Sequence, residues 1–280
     1  MRILPDLPDL HILPTETLRP HEHHDEGRAA PIAEALRRDA VLRNPPVVLR
    51  LSGQAERYVV LDGANRTAAF RQLGLEHLLA QVVHAGDNQV AVETWNHALL
   101  DIAEGELLDL VAGAGGIELL DSDPEQASAD LAIGSALASL SLRGGRVRTI
   151  AGRFSSLGER LIGLNRLVSA YQTKVRIERT NAAALNDVVT AFPSAAGLIV
   201  FPGFEVEDIV EAVSQDLLLP GGLTRFLVSP RALRVNYPLE ALAAPGSREV
   251  KELALTEWVR QKVGARGVRF YAEATYLFDE

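Results

Sequence analysis

The chain has 280 residues, 47% of them hydrophobic and 23% charged, with a formal net charge of −9. That composition describes a soluble globular protein with room for one large or two ordinary cores, and its acidic balance opposes a dedicated nucleic-acid binder, which carries a basic stripe. The absence of cysteine excludes disulfides, thiolate metal sites and thiol redox chemistry.

No stretch has the apolar length needed to cross a bilayer, and the first residues lack a basic leader ahead of an apolar run, so a cytoplasmic location without membrane partners is expected. Pro5, Pro8 and Pro14 predict an extended lead-in in which Leu10, Ile12 and Leu13 pair at a sheet edge. His21 to Glu26 reads as a polar loop. Pro31 is expected to open a helix with Ile32, Leu36 and Ala40 on one face, ended by Asn44-Pro45-Pro46. Val47 to Leu51 and Arg57 to Leu61 read as strands joined through Ser52-Gly53-Gln54. Asp62-Gly63 is a turn signal, and Ala69, Phe70 and Leu73 then recur at helical spacing before Gly74. Leu79 to Val83 is a further strand, completing an α+β unit near residue 90.

Residues 91–108 read as a helix burying Val92, Trp95, Leu99 and Ile102, followed by loops at Gly113 to Gly116 and Asp121 to Glu125. Gly113 to Gly116 lacks the lysine and the strand-to-helix context of a phosphate loop. The expected domain boundary lies here, between 1–110 and 111–280. Ala136 to Leu142 and Val147 to Ile150 predict a hairpin through Arg143-Gly144-Gly145, Leu157 to Gln172 an amphipathic helix, and Lys174 to Glu178 a strand. Leu198 to Phe201 is expected as a strand, Val206 to Ser214 as a helix and Pro220-Gly221-Gly222 as a turn. Phe226 to Val228 and Leu233 to Val235 are expected to pair across Ser229-Pro230-Arg231. A last helix, Glu249 to Lys262 with Leu253, Trp258 and Val259 apolar, precedes a strand from Val268 to Leu277.

The richest chemistry lies where Val59-Val60-Leu61 runs through Asp62-Gly63 into the helix beginning near Arg66. A helix that starts directly after a strand aims unpaired N–H groups and its positive dipole end at whatever sits above the turn, and an arginine in the first turn adds a fork of donors. This is an anion site in principle; read alone, the same residues also describe an ordinary turn with a surface arginine. His21, His23 and His24 lack the i, i+4 spacing of a helical zinc site.

Asp62-Gly63-Ala64-Asn65-Arg66, followed by Ala68-Ala69-Phe70-Arg71-Gln72-Leu73-Gly74, resembles the signature turn of the ParB/sulfiredoxin superfamily. Within it the chain most resembles the free L-serine kinases, including the siderophore-associated kind that makes O-phosphoserine for staphyloferrin-type pathways. The segments Leu13 to Glu16, Arg19 to Glu22, Thr94-Trp95-Asn96-His97, Ile177-Glu178-Arg179, Pro220 to Phe226 and Tyr271 to Leu277 resemble family landmarks in the same order.

The resemblance implies an α+β protein in which a ParB/sulfiredoxin-like N-terminal domain binds nucleotide and a second α/β domain, packed against it, contributes to the serine pocket. It implies transfer of a phosphoryl group from ATP or ADP, with Mg²⁺, to the hydroxyl of free L-serine. Glu22 takes the place of the family's general base. Asp62 and Arg66 join it in catalysis, Asp62 at the magnesium. Asp62, Gly63, Ala64, Asn65, Arg66 and Thr67 hold the nucleotide, and Trp95, His97, Thr224 and Arg225 bind serine, with Arg225 gripping its carboxylate or a phosphate. The missing cysteine excludes a sulfiredoxin-type activity. Asn65 stands where many relatives carry histidine, and asparagine can donate to a phosphate oxygen without carrying charge. A non-catalytic, ParB-like nucleotide- or ligand-binding regulator is the alternative, and Asn65 is the feature in its favour.

Overall fold

The computed structural model describes residues 7–23, 26–51, 56–84, 86 and 90–271. Their contacts divide the chain into two compact units, one of residues 1–19, 26–87 and 229–280, the other of residues 20–25 and 88–228.

The first unit opens with β1 (Leu10–Pro14), β2 (Leu18–Pro20), α1 (Glu26–Asp39), β3 (Val41–Leu42), β4 (Val47–Arg50), β5 (Tyr58–Asp62), α2 (Ala64–Gln72) and β6 (His77–Val83). Five of these strands make a sheet in the order β1-β6-β4-β5-β2, so the proline-rich lead-in does lie at an edge. β1 runs antiparallel to β6, with Ile12 opposite Leu79, while β4 is antiparallel to β5 and parallel to β6. The apolar runs of β4 and β5, and of β6 on either side of Gln81, follow from burial on both faces, and Val48, Val60, Leu79 and Phe70 of α2 share one core.

The second unit contains β7 (Val90–Thr94), β8 (Asn96–Leu100), α3 (Glu104–Ala112), β9 (Glu118–Ser122), α4 (Pro124–Ala132), β10 (Ala138–Leu142), β11 (Val147–Ala151), α5 (Leu157–Tyr171), β12 (Arg176–Thr180), α6 (Leu185–Ala191), β13 (Ala195–Val200), α7 (Val206–Ser214) and β14 (Thr224–Val228). Six strands form a sheet in the order β12-β8-β13-β10-β11-β9, and β14 pairs with β7 separately. Three of its helices, α4, α5 and α7, begin where side chains take up N–H groups of the first turn. Asp123 accepts from the Gln126 amide at 2.9 Å ahead of α4, and Ser156 from the Glu159 amide at 3.2 Å ahead of α5. Glu205 and Asp208 form a reciprocal box at the start of α7.

The chain then returns to the first unit with β15 (Tyr237–Pro238), paired with β3, followed by α8 (Leu239–Ala243) and α9 (Arg248–Gly264). Tyr237, Leu242 and Leu255 complete that unit's core, and Glu252 of α9 accepts from the Ile12 amide of β1 at 2.9 Å. No helix among the described residues is long and apolar enough to cross a membrane.

Several elements differ from the sequence reading. Residues 90–100 are two strands, not a helix: Val90, Val92 and Thr94 alternate with exposed Ala91 and Glu93, and β8 is buried along its length between β12 and β13. Residue 110 lies on α3, within the second unit. α1 starts at Glu26, five residues before Pro31, which sits inside the helix at the expense of one N–H donor. The loop expected over 121–125 is the end of β9 and the start of α4. Leu233 to Val235 forms no strand, because β14 is already paired with β7 and Arg234 and Asn236 both adopt positive φ. Leu253 of α9 is 72% exposed, whereas Lys251 and Leu255 face inward. The terminal strand is absent over 268–271, and its remainder, like His24 and the Ser52-Gly53-Gln54 turn, lies outside the described residues.

Candidate active site

In the first unit, β5 delivers Asp62 to the mouth of α2. Gly63 turns the chain with φ of 95°, and a Cβ there would stand 3.0 Å from the Arg66 guanidinium and from Pro46. Gly63 brings no capping side chain to α2, and the positive end of the helix dipole lies at this turn. Asp62 Oδ2 accepts from the guanidiniums of both Arg66 and Arg231, and Arg66 also donates to the Asn44 carbonyl at 2.7 Å. Thr67 is buried, with its hydroxyl and amide both turned to the Gly63 carbonyl at 3.2 and 2.9 Å, so it braces the turn. Ala64 and Asn65 occupy the first turn, half-buried.

Arg231 comes from the segment returning after β14 and is placed by the buried Gln81 of β6. The Gln81 amide donates to the Pro230 carbonyl at 2.8 Å and accepts from the Ala232 amide at 2.9 Å, holding the chain on either side of Arg231. Neither residue is marked as part of the site by any local pattern.

In the second unit, Glu22 lies in a stretch that runs beside Leu219 through a single parallel bridge. Its Oε2 accepts from the Gly222 amide at 2.6 Å. His21, expected in a solvated loop, is 2% exposed; its Nε2 lies 2.7 Å from the Thr224 hydroxyl and its ring stands edge-on to Phe226. Trp95 follows β7, its amide bonded to the Leu223 carbonyl at 2.8 Å, and the Arg225 guanidinium lies 5.0 Å from the Trp95 ring centre while also reaching Glu93 at 3.3 Å. Thus Glu22 and Trp95 are held against the segment that runs from Leu219 into β14, which carries Thr224 and Arg225.

His97 stands on β8 with Arg179 of β12 as its cross-strand partner. Its Nδ1 meets the Tyr171 hydroxyl at 2.8 Å, Phe201 packs edge-on to the ring, and Nε2 has no hydrogen-bond partner among the described residues. Burial, and next the charge of Arg179, push its pKa down to about 4, so the ring is neutral at ordinary pH. Burial likewise raises the Tyr171 hydroxyl. The neighbouring Asn96 is structural: its amide donates to the Ala182 carbonyl and accepts from the Phe201 amide.

Arg179 belongs to the Ile177-Glu178-Arg179 landmark, to which the sequence alone gives no role. Its guanidinium rests on Gly222, where φ is 74° and a Cβ would collide with it. Gly222 therefore touches the base candidate through its amide and a guanidinium through its missing side chain. Among the described residues no group of three or more His, Asp or Glu side chains is arranged to hold a metal ion.

No protein-family model matches the chain. Over 89 residues it is 31% identical to an ATP-dependent L-serine kinase of Staphylothermus marinus, a match covering 32% of this chain and 35% of that protein. The chain thus spans about a third of the length of the curated relatives it matches. Among solved structures, C-terminally truncated SbnI from Staphylococcus aureus superposes with a TM-score of 0.71 at 18% identity, covering 91% of this chain and 97% of that one. A free serine kinase in complex with AMP gives a TM-score of 0.71 at 17% identity, covering 86% and 97%. The α+β fold of this chain is the fold of SbnI and of the free serine kinase.

Proposed function

We propose that the chain is a phosphotransferase that moves the terminal phosphoryl group of ATP to the hydroxyl of free L-serine, giving O-phospho-L-serine. In this reading the serine oxygen forms a bond to the γ-phosphorus as the bond to the departing ADP breaks, and the hydroxyl proton passes to Glu22. The observation that carries it is the placement of the Glu22 carboxylate, oriented by the Gly222 amide in the segment that also holds Thr224 and Arg225. The positive end of α2, with Arg66 and Arg231, supplies fixed positive charge and guanidinium donors for phosphate oxygens. The names of the relatives favour ATP over ADP as donor.

Asp62 does not fit the role of a magnesium ligand. One of its oxygens already serves two guanidiniums, and two cations against one carboxylate make a donor set for an anion. Magnesium is assigned to the nucleotide, as part of the substrate, and a cytoplasmic setting with free serine as partner completes the reading. Incubation with L-serine, Mg²⁺ and either ATP or ADP, with O-phosphoserine detected by mass spectrometry, tests it. Product with ATP, lost in Glu22→Ala, is the expected result; no product with either nucleotide from folded protein overturns it.

A further inference from the structure

Two arginines in the second unit compete for the role of substrate anchor. Arg225 is engaged: Glu93 accepts from its guanidinium at 3.3 Å, and its flat face covers Trp95. Arg179 is exposed and makes no hydrogen bond or ion pair among the described residues, although it stands at a built position. Its backbone is held in β12 beside His97, and its guanidinium occupies the space that the absent Gly222 side chain leaves. The same glycine gives its amide to Glu22. A base and an unpaired planar cation thus flank one residue of backbone. An α-amino acid with a side-chain hydroxyl presents the matching pair, a hydroxyl and a carboxylate separated by two carbons.

We propose that Arg179, not Arg225, binds the α-carboxylate of the amino acid substrate and so sets the preference for an amino acid over a simple amino alcohol. This rests on the kinase reading and names the residue that would select its substrate class. A guanidinium grips a carboxylate through two parallel N–H donors, and losing such a contact weakens binding by about 10- to 100-fold. Arg225 keeps a different part, holding the Trp95 ring in place.

The test is steady-state kinetics of the full chain at saturating ATP, with L-serine and with 2-aminoethanol, which lacks the carboxylate. Arg179→Gln should raise the KM for L-serine by about 10- to 100-fold while leaving the KM for 2-aminoethanol and for ATP unchanged, so that the preference for serine collapses; Arg179→Lys should recover part of it. An unchanged KM for L-serine overturns the proposal, as does a rise confined to the KM for ATP, which would make Arg179 a phosphate contact. Calorimetric titration of L-serine into both proteins separates this from the parent reading. If the natural chain makes no O-phosphoserine the kinase reading fails, yet serine binding that Arg179→Gln abolishes still supports the carboxylate contact, and binding equal in both refutes it.

Discussion

The carboxylate of Glu22 and the backbone amide of Gly222 meet at 2.6 Å although 200 residues separate them in the chain. Glutamine at position 22 can accept the same N–H through its carbonyl but cannot take up a proton. Glu22→Gln is therefore expected to unfold at nearly the same temperature as the natural chain while O-phosphoserine formation falls by about 100-fold or more. A rate within threefold of the natural one would remove Glu22 from the role of base.

Arg66 reaches both Asp62 and the Asn44 carbonyl from the first turn of α2. Arg66→Ala should weaken nucleotide binding by roughly 10- to 100-fold, as expected for charge-assisted hydrogen bonds, and leave the KM for serine unaltered. Titration calorimetry with AMP reads the effect directly, and an unaltered Kd would exclude Arg66 from the phosphate cradle. Because these ion pairs are partly exposed, the accompanying stability loss should stay below about 1 kcal/mol.

His97 links stability to pH. The unfolded ring titrates near 6.5 and the folded one near 4, depressed first by burial and then by Arg179. Between those values the unfolded chain holds the extra proton, so this contribution is complete above pH 6.5 and is lost as the pH falls through 4, roughly 3 kcal/mol in all. Urea unfolding at pH 7.5 and pH 5 should show a steeper decline for the natural chain than for His97→Gln. Parallel declines would mean that the buried ring titrates normally.

Gln81 is 2% exposed and spends both ends of its amide on the backbone around Arg231. Gln81→Leu keeps the bulk but leaves the Pro230 carbonyl and the Ala232 amide without those partners. A loss of about 1–3 kcal/mol follows, with weaker AMP binding as Arg231 drifts from Asp62. A thermal melt and a calorimetric titration check both parts; a stability loss with AMP affinity intact would confine Gln81 to the fold.

Elements whose pattern is local were legible in the sequence. α5 keeps Leu161, Leu164, Leu167 and Val168 on its buried side, α7 matches its expected span, and the turn from β5 into α2 follows from Asp62-Gly63. β8 was not legible, because a strand flanked on both sides and buried throughout shows no alternation, and Val92, Trp95, Leu99 and Ile102 fall at helical spacing by coincidence. The site divides the same way. Asp62 and Arg66 lie four residues apart across one strand–turn–helix junction, whereas Glu22 with Gly222, Arg231 with Asp62, and Arg179 with Gly222 are contacts across long separations, which no local spacing announces. Glu22 is legible only through family resemblance, whereas the surroundings of Arg179 and Arg231 follow only from the folded chain.

The first unit is stitched from three stretches of sequence, and its core is finished by Tyr237, Leu242 and Leu255 from the last of them. During synthesis the ribosome releases every residue of the second unit before that last stretch is made. The unit that begins the chain is therefore the later one to close, and until α9 emerges, β1 and β6 wait with part of their apolar surface uncovered.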